Sequence, residues 1–270
     1  MVYATRRFEF SASHRYWRDE WTAEENERVF GKCTSPYGHG HNYTLDVTIT
    51  GTLDERTGMV MNMTELKALV NAVLEDFDHK HLNEDTPYFK ELIPTTENIV
   101  RVLWRLIAAK LPADARLAHL RLYEMSDLWA DYDGSAEASF ARSYSFSAAH
   151  RLHAPALSDD ENKAVYGKCN NPNGHGHNYS LEVTVVGPID NATGMVIDLV
   201  ELDRQVHAVL EPLNFHHLDK ELDAFIDKPS TAENIIVYLW GELAPRFEGQ
   251  LQHLKLWETK KNVFEYAGPQ

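Results

Sequence analysis

The feature that most limits what this chain can fold into is its repetition. "FSASH" ending at His14 returns as "FSAAH" ending at His150, and "GKCTSPYGHGHNY" (31–43) returns as "GKCNNPNGHGHNY" (167–179), each 136 residues on. The same offset joins Cys33 to Cys169, His39 to His175, His41 to His177 and Glu97 to Glu233, and it becomes 134 between Glu124 and Glu258. A period this long is that of tandem domains, because solenoid repeats run at roughly 20 to 50 residues. Two domains are expected, 1–131 and 138–270, joined by the small, polar and acidic "ADYDGSAEAS" (130–139).

Each copy reads as strands and helices in the same order. "YTLDVTITG" alternates Tyr43, Leu45, Val47 and Ile49 with polar residues, the pattern of a half-buried strand. Leu66, Leu69, Val70, Val73, Leu74 and Phe77 then follow at helical spacing, with Asn62 and Glu65 placed as cap and reciprocal partner. A second helix opens at "TTEN", whose counterpart "STAEN" reads as a Ser-x-x-Glu capping box, and "HLRLYE" supplies a last strand. With "RRFEFSASH" as the first strand the order is β-β-α-α-β. Strands paired without long crossovers favour an antiparallel sheet with helices on one face, an α+β fold.

Composition sets the outer limits. A chain of 270 residues with 43% hydrophobic and 25% charged residues is globular, and no apolar run approaches the roughly 18 residues of a membrane span. "MVYATRRFEF" has no apolar core of signal-peptide length, so a cytoplasmic location is expected, with no membrane partner. The net charge of −15 argues against broad nucleic-acid binding. The two cysteines hold matching places in the two copies, which argues against a disulfide between them.

The histidines carry the chemistry. His39 and His41 are two apart at a strand start and share a face, and His14 ends another strand. Three imidazoles with one coordination position open make a catalytic zinc site. The trio recurs as His150, His175 and His177, whereas His119, His153 and His207 have no histidine counterpart at the same offset. Cys33 and Cys169 can be a fourth ligand, which closes the site, or a base or nucleophile held beside the metal.

Taken together, "FSASH", "GKCNNPNGHGHNY", "DHKHLN", "TTEN" and "LYE" resemble the 6-pyruvoyl-tetrahydropterin synthase family across nearly all of both copies. The resemblance implies two tandem tunnelling-fold (T-fold) domains, each a four-stranded antiparallel sheet with two helices on one face, oligomerising into a β-barrel. It implies a homo-oligomer, a trimer of two-domain chains if six units are retained. The substrate implied is 7,8-dihydroneopterin triphosphate and the reaction a lyase reaction that eliminates triphosphate, with magnesium on the phosphates left open. By position, His14, His39 and His41, and likewise His150, His175 and His177, would hold zinc. Cys33 would be the general base, with Cys169 its counterpart, and Asp78 and His79 the dyad that relays a proton. Glu124 would grip the pterin's guanidine-like edge, with Glu258, Thr96, Glu97 and Glu233 as further substrate contacts. The second copy has Asn214 and Phe215 where the first has Asp78 and His79, and Ala232 for Thr96.

Two rival readings accompany this one. The related 6-carboxy-tetrahydropterin synthases of queuosine biosynthesis act on the same substrate, but typically have a shorter gap than the five residues between Cys33 and His39. The other rival is a zinc- and pterin-binding protein without turnover, its second domain degenerate at the dyad. A plain metal-dependent hydrolase lacks an evident Glu base beside the histidines.

Overall fold

The computed structural model describes residues 1–269 and divides into two compact units. The first holds Met1–Ala141 together with Val186–Val200; the second holds Arg142–Val185 and the residues from Glu201 on.

In the first unit, strand β1 (Val2–His14) is followed by helix α1 (Ala23–Phe30), β2 (His39–Gly51), α2 (Met63–Leu74), the two-residue β3 (Lys80–His81), α3 (Leu82–Asp85), α4 (Thr96–Ala108), β4 (Ala115–Met125) and β5 (Leu128–Tyr132). The strand order is β5-β4-β2-β1-β3, antiparallel except for β3 beside β1. β1 pairs with β2 over its whole length, so that Val2 faces Gly51 and His14 faces His39. The alternating residues Tyr43, Leu45, Val47 and Ile49 are fully buried in one apolar cluster with Leu66 and Val70 of α2, Ile99, Leu103 and Ile107 of α4, and Leu120 and Leu122 of β4. Each such side chain contributes about 1.5–3 kcal/mol by leaving water. The opposite face is polar and cross-linked, as where Arg7 grips Asp46 through two hydrogen bonds of 2.8 and 2.7 Å.

The second unit repeats the plan with β6 (Ala138–His150), α5 (Asp159–Tyr166), β7 (His175–Gly187), α6 (Leu199–Leu210), β8 (His216–His217), α7 (Leu218–Glu221), α8 (Ala232–Leu243), β9 (Leu251–Thr259) and β10 (Asn262–Tyr266). Its strand order is β10-β9-β7-β6, with β8 parallel to β6. Tyr179, Leu181, Val183 and Val185 are its buried alternating set.

Four details differ from expectation. The linker is shorter than 130–139: residues 130–132 belong to β5, where buried Ala130 pairs with Leu122, and buried Ala138 opens β6. Asn62 caps α2 through the Thr64 N–H, without a reciprocal bond from Glu65. The cap of α8 is Thr231, not Ser230, whose hydroxyl donates instead to Asp219 Oδ1 at 2.6 Å. The capping boxes lie on helices the periodicity did not single out, Thr22–Glu25 on α1 and Ser158–Glu161 on α5.

The turns after β2 and β7 share one geometry. Asp54 Oδ1 accepts the N–H groups of Arg56 and Thr57, and Gly58 closes the turn at φ +69°. Asp190 does the same for Ala192 and Thr193, with Gly194 at φ +75°. Their surroundings differ: Gly58 and Met59 are exposed, whereas Gly194 and Met195 are buried in the first unit.

Candidate metal centre

Strand pairing brings the first histidine cluster together. His14 ends β1 opposite His39, His41 follows two residues on, and one ring nitrogen from each lies within 4.8 Å of the others. The Nε2 atoms of His14 and His39 are 3.2 Å apart. That is close to the edge of roughly 3.3 Å that two nitrogens about 2.05 Å from a tetrahedral zinc would span. The His14 Nδ1–H is directed at the Pro94 carbonyl, 3.0 Å away, with the Tyr43 hydroxyl at 3.1 Å. This fixes the tautomer that leaves the His14 Nε2 lone pair facing its neighbours. Burial, reinforced by His39 and His41, pulls His14 down to about 3, and burial lowers His39 as well. Such imidazoles stay neutral at physiological pH, the form that binds a metal. Gly38, at φ +71°, leaves room for the approach: a Cβ there would lie 2.6 Å from the His14 carbonyl oxygen.

Two buried carboxylates lie beside the imidazoles. Glu124 is 6% exposed; its Oε2 accepts from Thr96 Oγ1 at 2.7 Å and from the Tyr16 hydroxyl at 3.2 Å, and its Oε1 is 3.5 Å from His41 Nε2. Glu97 is 2% exposed and its Oε1 accepts the Val196 N–H at 3.0 Å. Burial pushes the Glu97 carboxyl up to about 7. Tyr16, Thr96, Glu97, Glu124 and Met195 line one small recess. Cys33 lies on the 3-10 turn Gly31–Thr34, and its carbonyl accepts the Tyr16 N–H. Its side chain belongs to the same neighbourhood: burial lifts the Tyr16 phenol well above its ordinary range, and electrostatic coupling to Glu124 and to Cys33 adds to the effect.

The dyad stands elsewhere. His79 Nδ1 is 2.9 Å from Asp78 Oδ2, and Asp78 Oδ1 accepts the Ser11 N–H, the main cause of a carboxyl held below its usual range. The His79 side chain is 81% exposed and lines an open groove of about 530 Å³ with Ser11, Gly40 and His41. Cys33 instead packs against the apolar cluster of Tyr16, Val29, Phe30, Ile93 and Met195. Arg15 stacks over Trp17 at 4.0 Å and lines, with Arg18 and Lys90, a cavity of about 630 Å³.

The second unit repeats the metal cluster and loosens the rest. His150 and His175 place their Nε2 atoms 3.1 Å apart, His177 completes the trio, and His150 Nδ1–H donates to the Ser230 carbonyl at 2.8 Å. Burial lowers His175 and His177. Glu258 Oε1 is 3.9 Å from His177 Nε2. Cys169 accepts the Leu152 N–H through its carbonyl, as Cys33 does from Tyr16, but Glu233 is exposed where Glu97 is buried. At the dyad, Asn214 Oδ1 accepts the Ser147 N–H, and Phe215 is 84% exposed at φ +61°. His216 does not replace His79: its Nδ1 is bonded to the Asn214 carbonyl and its Nε2 faces Glu221 at 3.8 Å.

Sequence reasoning passed over Tyr16, Tyr43, Pro94 and two further repeated histidine pairs, His81 with His217 and, at the 134 offset, His119 with His253. Tyr43 recurs as Tyr179 and His81 as His217, both at the 136 offset, so a signal existed for these. Tyr16 becomes Leu152 and left none.

The family model for 6-pyruvoyl tetrahydropterin synthase matches the chain twice, over residues 3–135 and 139–269. The chain belongs to the 6-pyruvoyl tetrahydropterin synthase family. It carries the family unit in duplicate, as the internal offset required. The chain is similar to the 6-pyruvoyl tetrahydrobiopterin synthase of Drosophila melanogaster, 47% identical over 135 residues that cover 49% of this chain and 80% of the relative. It is similar to the Homo sapiens protein of the same name, 47% identical over 134 residues, 49% of this chain and 92% of the relative. The solved structure of Caenorhabditis elegans 6-pyruvoyl tetrahydropterin synthase, 42% identical, covers 49% of this chain and 96% of its own, with a TM-score of 0.48. No helix among the described residues is long and apolar enough to cross a membrane.

Proposed function

We propose that this chain is a zinc-dependent carbon–oxygen lyase that converts 7,8-dihydroneopterin triphosphate to 6-pyruvoyl-tetrahydropterin with loss of triphosphate. The observation that carries the reading is the convergence of three clustered imidazoles, the buried carboxylates of Glu97 and Glu124 and Cys33 in one unit. The two relatives bearing the 6-pyruvoyl name support it, and they do not favour the 6-carboxy rival. We read the chain as two synthase-like domains, 1–131 and 138–270, in a homo-oligomer for which three chains would supply six units.

His14, His39 and His41 would hold the metal, the nitrogens of His14 and His39 already at ligand–ligand spacing and all three within 4.8 Å of one another. When bound, zinc supplies Lewis acidity to the substrate's side-chain oxygens. The remaining work belongs to this chain's own residues. Cys33 takes the proton from the activated side-chain carbon, a task for a base with pKa near neutrality. Glu124 and Glu97 offer carboxylate oxygens to the paired N–H donors of the pterin edge, where two charge-assisted bonds fix orientation. Tyr16 and Thr96 donate to Glu124 and hold its carboxylate in place. Asp78 orients the His79 imidazole for proton relay. In the second unit His150, His175, His177, Cys169, Glu233 and Glu258 keep the metal and substrate residues. Asn214 and Phe215 carry no proton, which favours binding without full turnover there.

The experiment is incubation of zinc-loaded protein with 7,8-dihydroneopterin triphosphate and mass analysis of the products, beside Cys33→Ala and Cys169→Ala. A 6-pyruvoyl product lost mainly with Cys33→Ala supports the reading. A 6-carboxy product with released acetaldehyde moves the protein to the rival branch, and bound, unchanged substrate removes the enzyme reading.

A further inference from the structure

The two metal clusters are alike in their imidazoles and unlike in the carboxylates around them. In the first unit Glu124 is clamped: its Oε2 accepts from Tyr16 and Thr96, and its Oε1 approaches one ring nitrogen, His41 Nε2, at 3.5 Å. In the second unit both clamps are gone, because Leu152 stands in the place of Tyr16 and Ala232 in that of Thr96. Glu258 Oε1 lies 4.0 Å from His150 Nε2 and 3.9 Å from His177 Nε2, while its Oε2 accepts from Asn262 Nδ2 at 3.2 Å. One carboxylate oxygen therefore faces two ligand nitrogens at once, about 0.6–0.7 Å beyond the edge of a tetrahedral zinc site.

A second carboxylate stands behind the same cluster. In the first unit Asn83 Oδ1 accepts the Arg15 N–H at 2.9 Å; its counterpart is Asp219, whose Oδ2 accepts the Arg151 N–H at 2.6 Å. Asp219 Oδ1 also accepts from the Ser230 hydroxyl at 2.6 Å, and the Ser230 carbonyl accepts His150 Nδ1–H at 2.8 Å. Pro94 supplies the matching carbonyl to His14 but has no hydroxyl to link it to a charge. Outer partners of this kind raise the basicity of a ligating imidazole and tighten its hold on a cation. The exchange of Asn83 for Asp219 thus adds a negative charge behind one centre only.

We infer that Glu258 is the fourth ligand of the second-unit metal, so that this centre is closed while the first is open. Four protein ligands make a structural zinc site, whereas three with a free position make a catalytic one. Substrate oxygens reach the second metal only by displacing Glu258, and they reach the first without displacing Glu124, which Tyr16 and Thr96 hold back. The loss of the two hydroxyls and the gain of Asp219 act in the same direction: a cation held tightly and kept from ligands. The inference rests on the reading of the histidine trios as metal sites but not on the lyase reaction.

Cobalt substitution tests it without substrate. His177→Ala leaves the first centre as the cobalt site and His41→Ala leaves the second, and azide serves as the probe of a free position. Azide should shift the visible cobalt spectrum of the His177→Ala protein and leave that of the His41→Ala protein unchanged. Adding Glu258→Gln to His41→Ala should make the second centre respond to azide, whereas adding Glu124→Gln to His177→Ala should leave the response of the first as it was. In chelator competition Asp219→Asn should weaken zinc at the second centre by about 10–100-fold. Thermal melts and one cobalt per chain report that each variant is folded with its trio intact. A second centre that takes azide as readily as the first overturns the inference, as does a Glu258→Gln change that alters neither azide response nor zinc affinity. Absence of cobalt from both single-centre proteins overturns the metal reading itself, and the inference with it.

Discussion

Replacing Glu97 by Gln should stabilise the protein, and by an amount set by pH. The carboxyl is 2% exposed, and burial raises it from 4.5 to about 7. Between those values the folded chain keeps a proton that the unfolded chain has released, so stability falls as pH rises through the window. The gap, at about 1.36 kcal/mol for each pH unit, amounts to about 3 kcal/mol. Glutamine has no charge to desolvate, and its carbonyl oxygen can still accept the Val196 N–H that Glu97 Oε1 now receives at 3.0 Å. The advantage of Glu97→Gln over wild type should be about 1 kcal/mol at pH 5 and about 3 kcal/mol at pH 8, read from urea unfolding followed by tryptophan fluorescence. All other titrating groups are common to the two proteins and cancel in the difference. An advantage that does not change with pH, or a loss at pH 8, refutes the account of Glu97 as a buried charge retained at a cost. Retention of such a charge is the expected trade where a site needs a strong acceptor.

Three shorter predictions accompany it. Metal analysis by mass spectrometry should give two zinc ions per wild-type chain and one for either His41→Ala or His177→Ala, since each removes one of three ligands from one cluster. Cys33→Ala should lower turnover by about 10²–10⁴-fold, the range for a lost general base, with substrate affinity little changed in a binding titration. Leu45→Ala, at a fully buried position of the first core, should cost about 2–5 kcal/mol in unfolding free energy, measured by denaturant titration.

The residues legible in sequence were those whose pattern repeats or alternates. Both histidine clusters announced themselves by recurrence, and the buried set from Tyr43 to Ile49 by its period of two. What escaped notice depends on contacts that no spacing encodes. Tyr16 is placed by the Cys33 carbonyl and by Glu124, residues 17 and 108 positions away in sequence. The exchange of residues 186–200 into the first unit leaves no local mark either, because the turns at 54–58 and 190–194 have the same internal hydrogen bonds. The choice between Ser230 and Thr231 as cap was decided by Asp219, which takes the serine hydroxyl. Conversely, the capping boxes at Thr22 and Ser158 were written in the sequence; the helices they open carry weak apolar stripes and drew no attention.

Phe215 shows what remains when a side chain is replaced and its backbone is not. A bulky residue at φ +61° is uncommon and strained by roughly 1–3 kcal/mol. The chain nonetheless turns there as it does at His79, with Phe215 N–H donating to the Ser147 carbonyl at 2.6 Å as His79 N–H does to Ser11 at 2.6 Å. The elbow is therefore the work of the strand edge, and whichever side chain sits on it is a passenger. Asn214 already makes the hydrogen bond to Ser147 N–H that Asp78 makes to Ser11 N–H. The socket for a proton relay persists in the second unit, and two substitutions, Asn214→Asp and Phe215→His, would furnish it without any rebuilding of the frame.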